Sequence, residues 1–195
     1  MKEVEITVKV KDRFEDAIKI IESEGFVKIR ESHIKDVYLS QHIKVLKNIE
    51  NVLNKSVLLR YLKTDDREYK KITYKHKVYD KDQLIAEEKI NLACEDLDKA
   101  EKLFKTLGFE NLITVEYDCP VYAKDGLELA FQKVKNLGLL LEVESKLDFT
   151  NANYDDIKQE KERLFKQISR LGLDIGLQRD IKKAKELIKR KYNLI

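Results

Sequence analysis

The chain has 195 residues, of which 38% are charged and 43% hydrophobic, with a formal net charge of +3. That length suits one large domain or two small ones, and the apolar share supports a full core although charge exceeds the usual quarter or so. So small a net charge makes no case for nucleic acid, no apolar run nears the roughly 20 residues of a membrane span, and no signal-peptide pattern opens the chain, so a cytoplasmic protein with reduced Cys94 and Cys119 is expected.

The first predicted element is a strand, Glu3 to Val10. Val4, Ile6, Val8 and Val10 share one face, and Glu3, Glu5, Thr7 and Lys9 the other, an alternation that marks a strand with one apolar side. Asp12 is positioned as an N-cap for a helix carrying Phe14, Ala17, Ile18 and Ile21, and Gly25-Phe26 stops it. Short strands are predicted at 27–29 and 37–39. Ile43, Leu46, Ile49 and Leu53 then recur at helical spacing, giving a short helix or ordered flap before a strand from Val57 to Lys63. Thr64-Asp65-Asp66 turns the chain into a long strand from Tyr69 to Tyr79. Near Ile85 the plan starts again. The run ending in Gly25-Phe26 matches one ending in Gly108-Phe109, an offset of 83 residues, and Asp36-Val37-Tyr38 is echoed by Pro120-Val121-Tyr122. Pro120 lacks a ladder donor and is expected at an edge or bulge. Ile157, Leu164, Phe165, Ile168 and Leu171 outline one C-terminal helix; Ile181, Ala184, Leu187 and Ile188 begin another after Gly172 and Gly176.

These elements predict an α+β fold in one domain, with a first half over 1–84, a second over 85–150 and C-terminal helices over 151–195. Strands with one charged face must protect their edges, and closing the sheet into a barrel does so completely. The expectation is therefore a closed eight-stranded antiparallel barrel with charged faces inward and helices outside.

Two strands carry paired carboxylates, Glu3 and Glu5 near the start and Glu142 and Glu144 near the end of the sheet region. If all four turn the same way, each like-charge contact at about 4 Å costs roughly 4 kcal/mol at an effective dielectric near 20. Such a group faces open water or holds a cation. Lys71, Thr73, Lys75 and Lys77 share a face of the long middle strand, either as a solvated edge or as a polyanion cradle. Carboxylates and lysines together suit phosphate bound through a hard divalent ion, since oxygen donors without histidine or thiolate favour Mg²⁺ or Mn²⁺ over zinc. Glu87 and Lys89, on the repeat of the first strand, are further lumen candidates, with a structural ion pair as the competing role. His33, His42 and His76 fit no metal spacing, and Tyr38, Tyr61, Tyr74 and Tyr122 fit barrel packing.

In order along the chain, Glu3-x-Glu5, Asp36-Val37-Tyr38, Leu59-Arg60-Tyr61, Ile72-Thr73-Tyr74-Lys75 and Val134-x-x-Leu137-Gly138 followed by Glu142-Val143-Glu144 resemble the motifs of the CYTH superfamily, which includes class IV adenylate cyclases and thiamine triphosphatases. The resemblance implies an eight-stranded triphosphate tunnel whose glutamates hold one or two metal ions. It assigns Glu3, Glu5, Glu142 and Glu144 to metal, Mg²⁺ or Mn²⁺, and Lys9, Arg60, Lys75 and Lys77 to phosphate. The implied ligand is a triphosphate-bearing small molecule such as ATP, thiamine triphosphate or tripolyphosphate, with no membrane or nucleic acid partner; a homodimer is left open. The expected chemistry is metal-dependent phosphoric anhydride cleavage, either cyclisation of ATP or hydrolysis of a triphosphate, and no residue is assigned as general base. Departures from the pattern are equally specific. Thr7 stands where the signature lysine belongs, Arg60 is the one arginine of a usual pair, Tyr117 and Cys119 occupy basic positions, and Gln132, a lumen candidate like Glu87 and Lys89, replaces an aspartate. They open a second reading, a polyanion-binding module without turnover.

Overall fold

The computed structural model describes residues 4–42, 49–80, 83–149 and 152–194, with backbone alone at residues 50, 51, 75–80 and 83–89. Among the described residues, eight strands and five helices follow one another along the chain. The strands are β1 (Glu5–Lys9), β2 (Val27–Ser40), β3 (Val57–Thr64), β4 (Glu68–Asp80), β5 (Gln83–Ala93), β6 (Glu110–Lys124), β7 (Leu127–Val134) and β8 (Gly138–Glu144). The helices are α1 (Phe14–Ser23), α2 (Ile49–Asn54), α3 (Leu97–Thr106), α4 (Tyr154–Ile168) and α5 (Lys183–Lys191). The sheet is antiparallel, in the order β1-β8-β7-β6-β2-β3-β4-β5.

That order has two ends, β1 and β5, so the closure expected from the sequence is not among the strand pairings of the described residues. The backbone of β1 shows why its outer edge is unavailable. Lys11 N donates to Asp174 O at 2.8 Å, Gly176 N to Lys9 O at 2.7 Å and Ile181 N to Thr7 O at 3.1 Å, and Val10 bridges Ile175. Residues 174–181 thus occupy the groups with which another strand would pair, and they protect the β1 edge that barrel closure was expected to protect. Gly176 packs closely on β1, since a Cβ there would lie in van der Waals contact with Lys9, 3.5 Å from its Cβ and 3.6 Å from its carbonyl oxygen.

The chain divides into two compact units, Met1–Ser32 with Tyr117–Lys182, and His33–Glu116 with Lys183–Ile195. In the first, the apolar faces of β1, β7 and β8 meet α1 and α4 through Ile6, Val8, Phe131, Leu141, Val143, Ile21, Leu164 and Ile168. Phe131 sits edge-on to Phe14 and Tyr122, at 6.4 and 6.1 Å. In the second, Leu39, Val57 and Leu59 pack with Ala100, Phe104 and Phe109. Burying one face of each strand leaves the other for polar side chains, as the alternation required.

The repeat inferred from sequence has a structural counterpart in the helix stops. Phe26 N donates to Ile21 O at 3.1 Å and Gly25 N to Glu22 O at 2.9 Å; Phe109 N donates to Phe104 O and Gly108 N to Lys105 O, each at 3.0 Å. Both glycines take the left-handed conformation, φ 87° and 85°, the geometry of a Schellman stop, which a side chain would strain.

Several local expectations are revised. Residues 27–29 and 37–39 belong to one strand, since β2 runs unbroken over 14 residues. Asp12 does not cap α1: the N-cap is Arg13, and the Asp12 carboxylate accepts from Asp174 N at 2.7 Å, tying the start of α1 to the strap. Pro120 lies inside a central strand, not at an edge. The β6–β7 pairs that flank it, Asp118↔Lys133 and Val121↔Ala130, keep one register, so it marks no bulge of that ladder either. Leu171 falls beyond α4 and Ile181 before α5. Of the flap region, residues 43–48 lie outside the described residues, and α2 follows them.

Candidate triphosphate and metal site

Register decides which charged residues share a face. In the β1–β8 pair, Glu5 lies opposite Glu144, Thr7 opposite Glu142, and Lys9 opposite Leu140. The next strand continues the rows, with Ala130 opposite Glu142 and Gln132 opposite Leu140. Glu5, Glu142 and Glu144 are therefore on one face of unit 1 together with Lys9 and Gln132. Directly opposed strand residues have Cα atoms roughly 4.5–5.5 Å apart, so two carboxylates face each other at Glu5 and Glu144.

Their neighbours relieve that repulsion. Lys182 Nζ approaches Glu5 Oε1 at 3.8 Å, and the Thr7 hydroxyl donates to Glu142 Oε2 over a long 3.4 Å. Farther along the same face, Glu128 receives Arg30 Nη2 on one oxygen and Lys146 Nζ on the other, each at 2.9 Å. The Lys146 hydrogen bond, with Arg30 beside it, holds the Glu128 carboxyl below its ordinary value. No group of three acidic, histidine or cysteine side chains placed to hold a metal occurs among the described residues. The donors nonetheless have the chemistry a hard cation takes, anionic oxygens on one surface.

In unit 2 the face is basic. Asp36 is almost completely buried, and Arg60 grips it through both branches of its fork, Nε to Oδ1 at 2.7 Å and Nη2 to Oδ2 at 2.5 Å. Arg60 lies opposite Lys71, and Leu58 opposite Thr73, so the cation stands on the face that Lys71 shares. Thr73 donates to Asn91 Oδ1 at 2.8 Å across the β4–β5 pair. Lys75 lies opposite Lys89 and Lys77 opposite Glu87 in the backbone register. The side chains of Lys75, Lys77, Glu87 and Lys89 lie outside the described residues, as does the whole of Glu3.

Of the sequence-predicted residues, the structure brings Glu5, Glu142, Glu144, Lys9 and Gln132 onto one face of unit 1, and places Arg60 in unit 2. Lys9 and Glu144 are exposed, whereas Gln132 is 2% exposed, a neutral buried residue where a metal-binding carboxylate was looked for. Tyr117 and Cys119 are also buried. Asp36 was missed as a site residue although its motif had been noticed; its role shows only in the fork to Arg60. Arg30, Glu128 and Lys146 were missed because their meeting depends on three segments distant in sequence. A cleft of about 540 Å³, lined in part by His33, Lys35, Tyr61, Lys70 and Asp98, opens elsewhere in unit 2, and among the described residues none of the predicted ones lines it. His33 is paired there with Glu116 at 3.8 Å.

The eight-stranded antiparallel sheet with its five helices, as the described residues show it, is a CYTH-type fold, of which this chain is a divergent example. No protein-family model matches it. It is 27% identical over 169 residues, 87% of this chain and 90% of the other, to a candidate adenylate cyclase of Methanocaldococcus jannaschii. Among solved structures, the PH1819 protein of Pyrococcus horikoshii superposes with a TM-score of 0.66 at 20% identity, covering 97% of this chain and 99% of that one. HpAC1 of Hippeastrum, a candidate adenylyl cyclase with a dominant triphosphatase activity, does so with a TM-score of 0.57 at 12% identity, covering 97% and 96%. At these identities the structural matches speak for the fold.

Proposed function

We propose that the chain binds a triphosphate group with a divalent cation, Mg²⁺ or Mn²⁺, and cleaves a phosphoric anhydride bond, as an adenylate cyclase or a triphosphatase. The observation that carries this reading is the β1–β8 register, which sets Glu5 opposite Glu144 and Glu142 opposite Thr7 on one polar face. The relatives support it: one is a candidate adenylate cyclase and another has triphosphatase activity.

Glu3, Glu5, Glu142 and Glu144 would hold the cation, whose chemistry when bound is Lewis-acid polarisation of phosphoryl oxygens. Thr7 orients Glu142 through its hydroxyl. Lys9, Arg60, Lys75 and Lys77 would take the non-bridging oxygens, with Arg60 aimed by Asp36 so that little ordering is left for the moment of binding. Charge that develops on the transferred group then meets donors already in place.

A second reading, binding without turnover, is favoured by Gln132, whose neutral side chain is buried in the row beside Leu140. Product release from ATP, thiamine triphosphate and tripolyphosphate, each with Mg²⁺ and with Mn²⁺, separates the two. Turnover lost in Glu142→Gln establishes the enzyme; metal-dependent binding with no product from any of the substrates establishes the module.

A further inference from the structure

Arg30 reaches Glu128 across a whole strand. Glu128 on β7 lies opposite Ala123 on β6, and β6 separates β7 from β2, which carries Arg30. The methyl group of Ala123 leaves the space in which the two long side chains meet, and Lys146, just past β8, closes on the other carboxylate oxygen. Glu128 lies two residues from Ala130, the partner of Glu142, so this cluster is on the face that carries the carboxylates. A carboxylate with one cation on each oxygen has the shape of an oxyanion held in a two-pronged grip.

We propose that Arg30 and Lys146 form a second anion subsite on this face, one that takes a phosphate group of a phosphorylated ligand, and that the Glu128 carboxylate fills it in the free protein. The proposal rests on the triphosphate reading and extends it to a place where the terminal or leaving phosphate is held. Both cations are more than half exposed. Exposed ion pairs are weak and screened by salt, so Glu128 is cheaply displaced by a phosphate carrying more charge. The cations are meanwhile kept extended over the face, with part of their ordering already complete. Glu128 also cancels part of the charge of Arg30 and Lys146, so the empty site is not left strongly positive.

The test is calorimetric binding of tripolyphosphate to the full chain, with and without Mg²⁺, in wild type, Glu128→Gln, the Arg30→Ala/Lys146→Ala double variant and Glu142→Gln, with melting curves as the folding control. Glu128→Gln is expected to tighten binding roughly fivefold by removing the internal competitor. The double variant is expected to weaken it roughly tenfold and to reduce its salt dependence. Unchanged or weaker binding by Glu128→Gln overturns the subsite, and if Glu142→Gln abolishes Mg²⁺-dependent binding in the same series, the triphosphate reading stands without it. Response to the Arg30, Lys146 and Glu128 changes with none to Glu142→Gln keeps the subsite and removes the metal reading. No binding by any of the proteins overturns both.

Discussion

The two compact units carry the charges of the candidate site in opposite ways. In unit 1 the strand carboxylates meet amines and a guanidinium that stay more than half exposed: Lys182 at Glu5, Lys146 and Arg30 at Glu128. In unit 2 a guanidinium is built in, and a buried carboxylate grips it. Burial separates the two arrangements energetically. An exposed pair contributes at most about 1 kcal/mol, whereas a buried carboxylate stripped of its partner pays a desolvation penalty of several. The cations of unit 1 are thus exchangeable, and the cation of unit 2 is fixed.

Mutations can break or sharpen that contrast. The firmness of unit 1 comes from the apolar side beneath its charges, so Phe131→Ala is expected to have the largest effect, about 4 kcal/mol of unfolding free energy by urea titration. A loss below about 1 kcal/mol would mean that the aromatic cluster is not what supports the charged face. In unit 2, Arg60→Ala should destabilise by about 3 kcal/mol, because it leaves the Asp36 carboxylate buried and unpaired; Arg60→Lys, which keeps charge but not the fork, should recover only part. Glu142→Gln should leave the melting curve in place and lower turnover roughly hundredfold, read by phosphate or pyrophosphate release.

Acid titration separates a sheltered pair from an open one within unit 1. Glu160 on α4 is 6% exposed and accepts from Arg163 Nε and Nη2 at 2.7 and 2.6 Å, and this bond lowers its carboxyl from the ordinary value. A folded-state carboxyl below its unfolded value, about 4.3, stabilises fully above that pH and loses the contribution as pH falls through the folded value. Glu160→Gln should therefore flatten the acid limb of the stability curve by about 1 kcal/mol, with Arg163 half exposed to water. The smallest effect belongs to Glu128→Ala, expected below about 1 kcal/mol at neutral pH. A larger loss would show that Glu128 is a structural strut and not an exchangeable anion.

Much of the architecture was legible because its signals are local. Alternation in residues 3–10 identified a one-sided strand, and the paired Gly-Phe stops were visible as text before their matching hydrogen bonds were seen. The order of the short motifs identified the CYTH-type fold. The capping of α1 was misread for an equally clear reason: Asp12 has the right side chain in the right place, but its carboxylate is claimed by Asp174, a residue that no local pattern connects to it. Pro120 was misplaced because a missing donor points locally to an edge or bulge, whereas the strand order that puts β6 inside the sheet is set by residues distant in sequence. Asp36 stood inside a recognised motif, yet nothing adjacent to it in sequence indicated that it would be buried against Arg60.

By itself, then, the sequence determined the faces of the strands, the stops of the helices and the chemical types available to the site, since those follow from side-chain periods of two and 3.6 and from backbone freedom at glycine. Tertiary structure alone decided that Glu5 meets Glu144, that Arg60 is bound to Asp36 while Arg30 is shared with Glu128, and that residues 174–181 take the outer edge of β1. Those outcomes depend on register and on competition for the same backbone groups, and a shift of one residue in pairing would turn every side chain of a strand to its other face.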